Sequence, residues 1–168
     1  MFVIGSVVNN KAYNQCVDLY ADGLYRFALK SLGNTGEAQD IVQDAFEKLW
    51  LRRDQIDPAK AKSYLFTTVY YAIVDYSRKV KRLVDFQQSV TTQNTTQTTH
   101  FDLKEQIDQA LKLLPDYQRN VVLLRDYEGY AYQEISEITG FTVEQVKVYI
   151  FRARKALRTY LVSIEQLL

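Results

Sequence analysis

Residues 132–157 read YQEISEITGFTVEQVKVYIFRARKAL. Tyr132, Ile135 and Ile138 recur at helical spacing and mark a short helix that stops at Gly140. Val146, Ile150, Ala153 and Leu157 mark a longer one. Between them, Gly140 supplies the left-handed backbone that bends a chain sharply, and the Thr142 hydroxyl is placed to cap the helix that follows. Short helix, tight turn, longer helix is helix-turn-helix spacing. With its four apolar residues facing inward, the longer helix presents Glu144, Lys147, Val148, Phe151, Arg152, Lys155 and Arg158 on its opposite face. No acid lies between Glu144 and Glu165, whereas Lys147, Arg152, Arg154, Lys155 and Arg158 do. A helix with a basic outer face fits the major groove and neutralises phosphates. Lys147 and Arg152 are suited to donate to guanine edges. A solvated basic face on an ordinary helical hairpin is the competing reading of the same residues.

Upstream of the motif the chain also reads as helix. Leu103, Ile107, Ala110, Leu111 and Leu114 form one stripe, Pro115 breaks and restarts the chain, and Val121, Val122 and Leu124 mark a helix ending near Gly129. Before this block, residues 84–100 are polar and low in complexity, with a Thr/Gln/Asn tract at residues 91–99. This stretch lacks both helical and alternating periodicity and is expected to be a flexible linker. It divides the chain into blocks 1–83 and 101–168, with no repeat relating them. In the first block, Val17, Tyr20, Leu24, Phe27 and Ala28 mark one helix, ended by Gly33 and Asn34. Asn34 with Glu37 resembles a capping box for the next, whose inner face carries Ala38, Ile41, Val42, Ala45, Phe46 and Leu49. Asp57 and Pro58 read as N-cap and first position of a long third helix with Leu65, Val69, Ala72, Ile73, Tyr76 and Val80 inward. The expected fold is therefore all-α: two small helical domains, the second with a helix-turn-helix.

The bulk numbers agree with this. The 168 residues fit one domain or two small helical ones, and 47% hydrophobic residues are enough for a packed core. With 21 Lys+Arg against 20 Asp+Glu the net charge is +1, which excludes a histone-like polycation but conceals local segregation. One cysteine, Cys16, excludes a disulfide framework. One histidine, His100 in the Thr/Gln tract, leaves a zinc cluster or a Ser-His-Asp triad without its parts. No cofactor, metal, small-molecule substrate or enzymatic activity is expected. No run approaches the roughly 18 apolar residues of a membrane span, and the opening residues lack a basic n-region. They are expected to fray or to add a turn of packing, and the chain is expected to be cytoplasmic.

Two further surfaces carry chemistry. On the long helix after Pro58, Tyr64, Thr67, Tyr71, Arg78 and Arg82 fall along one outward stripe, flanked by Ser63, Tyr70 and Lys81. Rings that stack bases, interleaved with cations that hold the backbone, are what single-stranded nucleic acid needs. Tyrosine is common here, with 13 in the chain, so packing against neighbouring helices is the alternative. The polar face of the second helix carries Gln39, Asp40, Gln43, Asp44, Glu47 and Lys48, with Trp50 near its end. It reads either as a solvated face or as a docking face for a basic partner, with Trp50 as an anchor.

The residues DIVQDAFEKLW at 40–50 resemble the conserved helix of region 2 in bacterial RNA polymerase sigma factors. AKSYLF at 61–66, continuing to DYSRK at 75–79, is similar to the promoter-melting helix that follows it. ALKLLP at 110–115, GYAYQEI at 129–135, and Val146-Lys147 with RARKAL at 152–157 resemble region 4. Their order and spacing fit the extracytoplasmic-function class, and the resemblance covers nearly the whole chain. It implies a specificity subunit that directs core polymerase to promoters. Asp40, Gln43, Asp44, Glu47 and Trp50 would dock on the clamp helices of the β′ subunit, with the β flap a further contact on the core. Lys62, Tyr64, Thr67, Tyr71, Arg78 and Arg82, with the loop at residues 54–61, would capture the melted minus-10 strand. Lys147, Val148, Phe151, Arg152 and Lys155 would read the minus-35 duplex. The linker would thread core channels near the RNA path, and an anti-sigma factor is the expected regulator.

Two positions depart from the family pattern. Ala131 stands where a Ser or Thr cap is usual, and Val148-Tyr149 replaces a Ser-Arg or Ser-Lys pair. The first weakens a cap. The second turns a hydrogen-bonding position into one suited to a thymine methyl, which bears on promoter sequence and not on role. A stand-alone helix-turn-helix regulator is the alternative function; it accounts for the second block and leaves the first unexplained.

Overall fold

The computed structural model describes residues 7–87 and 102–166. Among them the chain is helical, with no strand. The first block contains α1 (Asn10–Leu32), α2 (Thr35–Leu51) and α3 (Ala61–Gln87), with short 3-10 turns at Arg53–Gln55 and Pro58–Lys60 before α3. The second contains α4 (Leu103–Leu113), α5 (Asp116–Val122) running into a π turn (Leu123–Tyr127), α6 (Tyr132–Thr139) and α7 (Val143–Glu165).

Local chemistry sets the boundaries. Helix starts leave backbone N–H groups unpaired, and side-chain oxygens take them up. Asn9 accepts from the Ala12 N–H at 2.8 Å, Asn34 from Glu37 at 3.1 Å, Asp57 from Ala59 at 2.9 Å and Asp102 from Lys104 at 3.1 Å. Each such cap contributes about 0.5–2 kcal/mol. Gly33 (φ 68°) and Gly140 (φ 77°) close α1 and α6 in the left-handed conformation.

The inner face expected for α2 is the buried one: Ala38, Ile41, Val42, Ala45, Phe46 and Leu49. They meet Leu24, Phe27 and Ala28 of α1 and Leu65, Val69 and Ile73 of α3. In the second block Leu111, Val121, Val122, Leu124, Ile135, Ile138, Val146, Ile150 and Ala153 are buried. Fully burying an aliphatic or Phe side chain contributes about 1.5–3 kcal/mol, so these stripes supply most of the driving force. The two sets join in one contiguous cluster, so the blocks pack against each other.

That packing accounts for where α3 departs from expectation. Tyr70 is buried rather than flanking an exposed stripe, Phe66 beside it is buried too, and Val80, expected inside, is 38% exposed. A single apolar stripe serves packing within the first block alone, whereas α3 is covered on two sides, by α1 and α2 and by α6. Beyond Ser77 its residues are exposed, with Lys81 paired to Asp116 of α5, and it stays helical through Gln87, so residues 84–87 belong to the helix and not to the expected linker. The rest of the Thr/Gln tract, with His100, lies outside the described residues, as do Met1–Ser6. Val8, however, is buried, and its N–H donates to the carbonyls of Arg53 and Ile56 at 3.0 and 3.2 Å, which makes it part of the packing.

Candidate nucleic-acid interface

The helix-turn-helix is built as its spacing implies. Thr142 accepts from the Gln145 N–H at 3.2 Å, and Gln145 accepts from the Thr142 N–H at 2.9 Å, a reciprocal cap that fixes the start of α7. Ser136 Oγ donates to the Phe141 carbonyl at 2.6 Å and stiffens the turn. With Val146, Ile150 and Ala153 buried, α7 turns Lys147, Val148, Phe151, Arg152 and Lys155 to solvent. Phe151 is 68% exposed, a costly position for a phenyl ring unless a partner covers it. Arg152 and Lys155 make no ion pair among the described residues, whereas Arg154 is bound to Asp126, its Nε at 3.0 Å from Oδ2. Lys147 lies 5.8 Å from the centre of the Tyr132 ring.

The two family departures now have a physical account. Ala131 has no side-chain acceptor, and only the reverse half of the cap remains, the Ala131 N–H donating to Glu134 at 2.8 Å. Tyr149 does not share the outward face with Val148. It is half-buried, edge-on to Tyr117 at 4.7 Å and to Phe141 at 5.2 Å, and ties α5 to the turn. An aromatic in this place serves packing, which no periodicity in α7 alone distinguishes from recognition.

On α3 the expected strand-capture residues divide. Arg78 and Arg82 are exposed, Arg78 with Asp75 at 3.8 Å. Tyr71 is half exposed, and Tyr64 and Thr67 are half-buried. Tyr64 and Tyr71 line a cleft of about 580 Å³ between α2 and α3, together with Lys48, Arg52 and Lys79. Glu37 and Asp75 line the same cleft, so its charge is mixed, and Thr67, Arg78 and Arg82 are not among its lining residues. Tyr70 is buried, and burial, with the neighbouring Tyr71, pushes its hydroxyl up to about 12 against the opposing charge of Arg78. Lys62 faces the second block: its Nζ stands 4.3 Å over the Tyr130 ring and 3.7 Å from Glu134.

On α2, Gln39, Asp40, Gln43, Asp44, Glu47 and Lys48 are exposed and form one polar face. Trp50 is half-buried. Its ring meets Tyr13 edge-on at 5.0 Å, and the Arg53 guanidinium lies over it at 4.3 Å. These contacts fix its ring against α1 and the turn after α2 and leave part of it exposed. Cys16 is buried, and burial raises its thiol above the ordinary range. Among the described residues no His/Cys/Asp/Glu group is arranged to hold a metal ion, and no helix is long and apolar enough to cross a membrane.

A helix-turn-helix packed on a second helical block is the framework of a two-part DNA-binding protein. The family models for Sigma-70 region 2 and Sigma-70 region 4 match residues 16–83 and 104–157 respectively. The ECF RNA polymerase sigma factor SigW of Bacillus subtilis (strain 168) is 30% identical, over 89% of this chain and 89% of SigW. SigM of the same organism is 27% identical, over 86% and 92%. Among solved structures, the sigma factor RpoE in complex with the anti-sigma factor NepR, from Bartonella quintana, has a TM-score of 0.74 at 27% identity, covering 90% of this chain and 97% of that one. CnrH, solved with the cytosolic domain of CnrY, shares the fold, with a TM-score of 0.70 at 24% identity. The chain belongs to the extracytoplasmic-function family of RNA polymerase sigma factors. The match to region 2 also removes the main attraction of the stand-alone regulator, which left the first block without a role.

Proposed function

We propose that this sigma factor binds core RNA polymerase through the α2 face at Asp40, Gln43, Asp44 and Glu47, directed at the clamp helices of β′, with the β flap as a second contact. The first domain, residues 1–83 with the end of α3, captures the melted minus-10 strand with Lys62, Tyr64, Thr67, Tyr71, Arg78 and Arg82. The second domain, residues 101–168, reads the minus-35 duplex with Lys147, Val148, Phe151, Arg152 and Lys155. Residues 88–100 connect the two. The role is non-catalytic and cytoplasmic, and an anti-sigma factor is its regulator; the similar RpoE structure is a complex with an anti-sigma factor, NepR.

The observation that carries this reading is the separation of charge and exposure. α7 buries one face and leaves an uncovered basic face, without an acid from Gln145 to Ile164, that carries an exposed phenyl ring, while α2 leaves an acidic face uncovered at the other block. The test is run-off transcription with purified core polymerase on a library of promoters. Promoter-specific transcripts are expected from the wild type, and none from Asp40→Lys with Asp44→Lys, which should also fail to co-elute with core while keeping its helical signal. A double variant that co-elutes unchanged removes the α2 assignment.

A further inference from the structure

The ion pairs between the two blocks have one polarity. Four ion pairs cross the seam among the described residues: Arg26–Glu128 at 3.1 Å, Lys30–Asp108 at 2.9 Å, Lys62–Glu134 at 3.7 Å and Lys81–Asp116 at 2.7 Å. In every one the cation comes from α1 or α3 and the acid from the second block. The cation–ring contacts repeat the pattern: Lys30 over Tyr127 at 4.9 Å and Lys62 over Tyr130 at 4.3 Å. Tyr130 also stacks edge-on against Phe66 of α3 at 4.9 Å. The second block thus offers the first carboxylates and aromatic faces, the two groups that a single nucleic-acid strand offers as phosphates and bases.

The backbone makes room for this arrangement. A β-carbon on Gly23 of α1 would stand 2.9 Å from Glu128 Oε2, so glycine there lets the carboxylate settle against the helix beside Arg26. The Glu128 side chain is only 6% exposed, and its hydrogen bond holds the Arg26 guanidinium even more firmly protonated than usual. The seam nevertheless differs from a permanent core. Three of its four cations stay substantially exposed. Beside it, where Arg119 of α5 donates to the Ser31 carbonyl of α1 at 3.4 Å, Ser31 Oγ, Arg119 Nε and Asn120 Nδ2 are buried without a hydrogen-bond partner. Buried polar atoms left unpaired weaken the closed arrangement relative to one in which water reaches them.

We propose that the acidic, tyrosine-bearing face of the second block is an intramolecular stand-in for nucleic acid, covering a cationic face of the first block formed by Arg26, Lys30, Lys62 and Lys81. When the blocks part, that face takes the phosphates of a single strand. Arg26 and Lys30 on α1 thereby join the strand-binding surface. The proposal rests on strand capture by the first block and adds to it a competition between the second block and the strand.

The experiment uses the full chain without core polymerase and a fluorescent single-stranded oligonucleotide at fixed salt. Asp108→Asn with Glu134→Gln removes two acids from the seam; Glu105→Gln with Glu165→Gln removes two from elsewhere in the same block. The seam variant should bind the strand about three- to tenfold more tightly than wild type, the scale set by two surface ion pairs, and the other pair should not reproduce that gain. Lys30→Gln in the seam variant should lower the salt slope by about 0.7. Equal gains from both acid pairs overturn the proposal, because net charge then explains them. If the seam variant folds poorly, the distance between a label on α1 and one on α7 of the wild type, read with and without saturating oligonucleotide, decides: an increase supports the proposal and an unchanged distance overturns it. Run-off transcription in parallel keeps the two readings apart. Promoter-specific transcripts without any seam effect sink the competition alone, and their absence sinks the functional reading.

Discussion

The hydroxyl of Tyr71 lies 3.2 Å from the point that a β-carbon on Gly140 would occupy. The turn of the helix-turn-helix therefore closes on the helix assigned to strand capture, and the contact gives a direct test of block packing. Gly140 sits at φ 77°, where an L side chain is strained by about 1 kcal/mol. Gly140→Ala should cost that strain plus a contact with Tyr71. In a Tyr71→Phe background the contact part should vanish and the strain remain. Urea unfolding of the four proteins in a double-mutant cycle reads the coupling; equal costs in both backgrounds would mean that the two blocks do not touch in solution.

Ala131 gives the opposite sign. The N-cap position of α6 lacks an oxygen, and Glu134 already returns its half of the cap to the Ala131 N–H at 2.8 Å. Ala131→Ser supplies the acceptor for the Glu134 N–H. It should stabilise the protein by about 0.5–2 kcal/mol, read as a higher urea midpoint with an unchanged slope. An unchanged or lower midpoint would show that the α6 start is held by packing of Tyr130 and Tyr132 and not by its cap.

Much of this was legible in the residues. The α2 core stripe, the Gly33 and Gly140 stops, and the Thr142 cap follow from period and cap chemistry within one helix, and each is where those rules put it. What was not legible depends on two helices far apart in sequence. Phe66 and Tyr70 are buried because α6 covers that side of α3, and nothing in residues 61–87 announces α6. Lys62 carries the right charge for a phosphate and spends it on Glu134 and Tyr130. The contacts of Trp50 with Tyr13 on α1 and with Arg53 are likewise invisible from its own helix. The sign pattern across the seam was hidden for the same reason, since a net charge of +1 and mixed helices show no segregation until cations and acids are paired in space.

Asp116 makes part of the seam sensitive to acid. Burial pushes its carboxyl up, but the hydrogen bond from Lys81, the charges of Arg119 and Lys81, and the hydrogen bond from Arg119 together outweigh it. The carboxyl is held below its ordinary 3.8. A carboxylate held below its unfolded value contributes stability that is fully present above that value and is lost as pH falls through the folded value. The α3–α5 contact should therefore be constant from neutral pH down to about 4 and weaken below it. Melting temperature followed downward in pH should show this limb in wild type, reduced in Asp116→Asn. An identical acid limb in both proteins would place the sensitivity elsewhere.

Arg152 and Lys155 are both exposed on α7 and without an ion pair among the described residues, but their chemistry separates them. Arg152 stands one helical turn beyond Val148 on the outward face, and its guanidinium can form two parallel bonds to a guanine edge. Lys155 lies a further turn along, carries a point charge, and fits a phosphate. Arg154, bound to Asp126, is removed from either role. Arg152→Ala should therefore cost roughly 1–3 kcal/mol on the best minus-35 sequence and relax the preference at one base position. Lys155→Ala should weaken all sequences about equally and flatten the salt dependence by about one unit of slope. Duplex binding by the full chain at fixed salt, across single-base variants of the site, measures both. If Arg152→Ala leaves the preference intact at every position, the reading face is rotated toward Glu144 and Lys147, and Val148 with Phe151 would then lie at its edge.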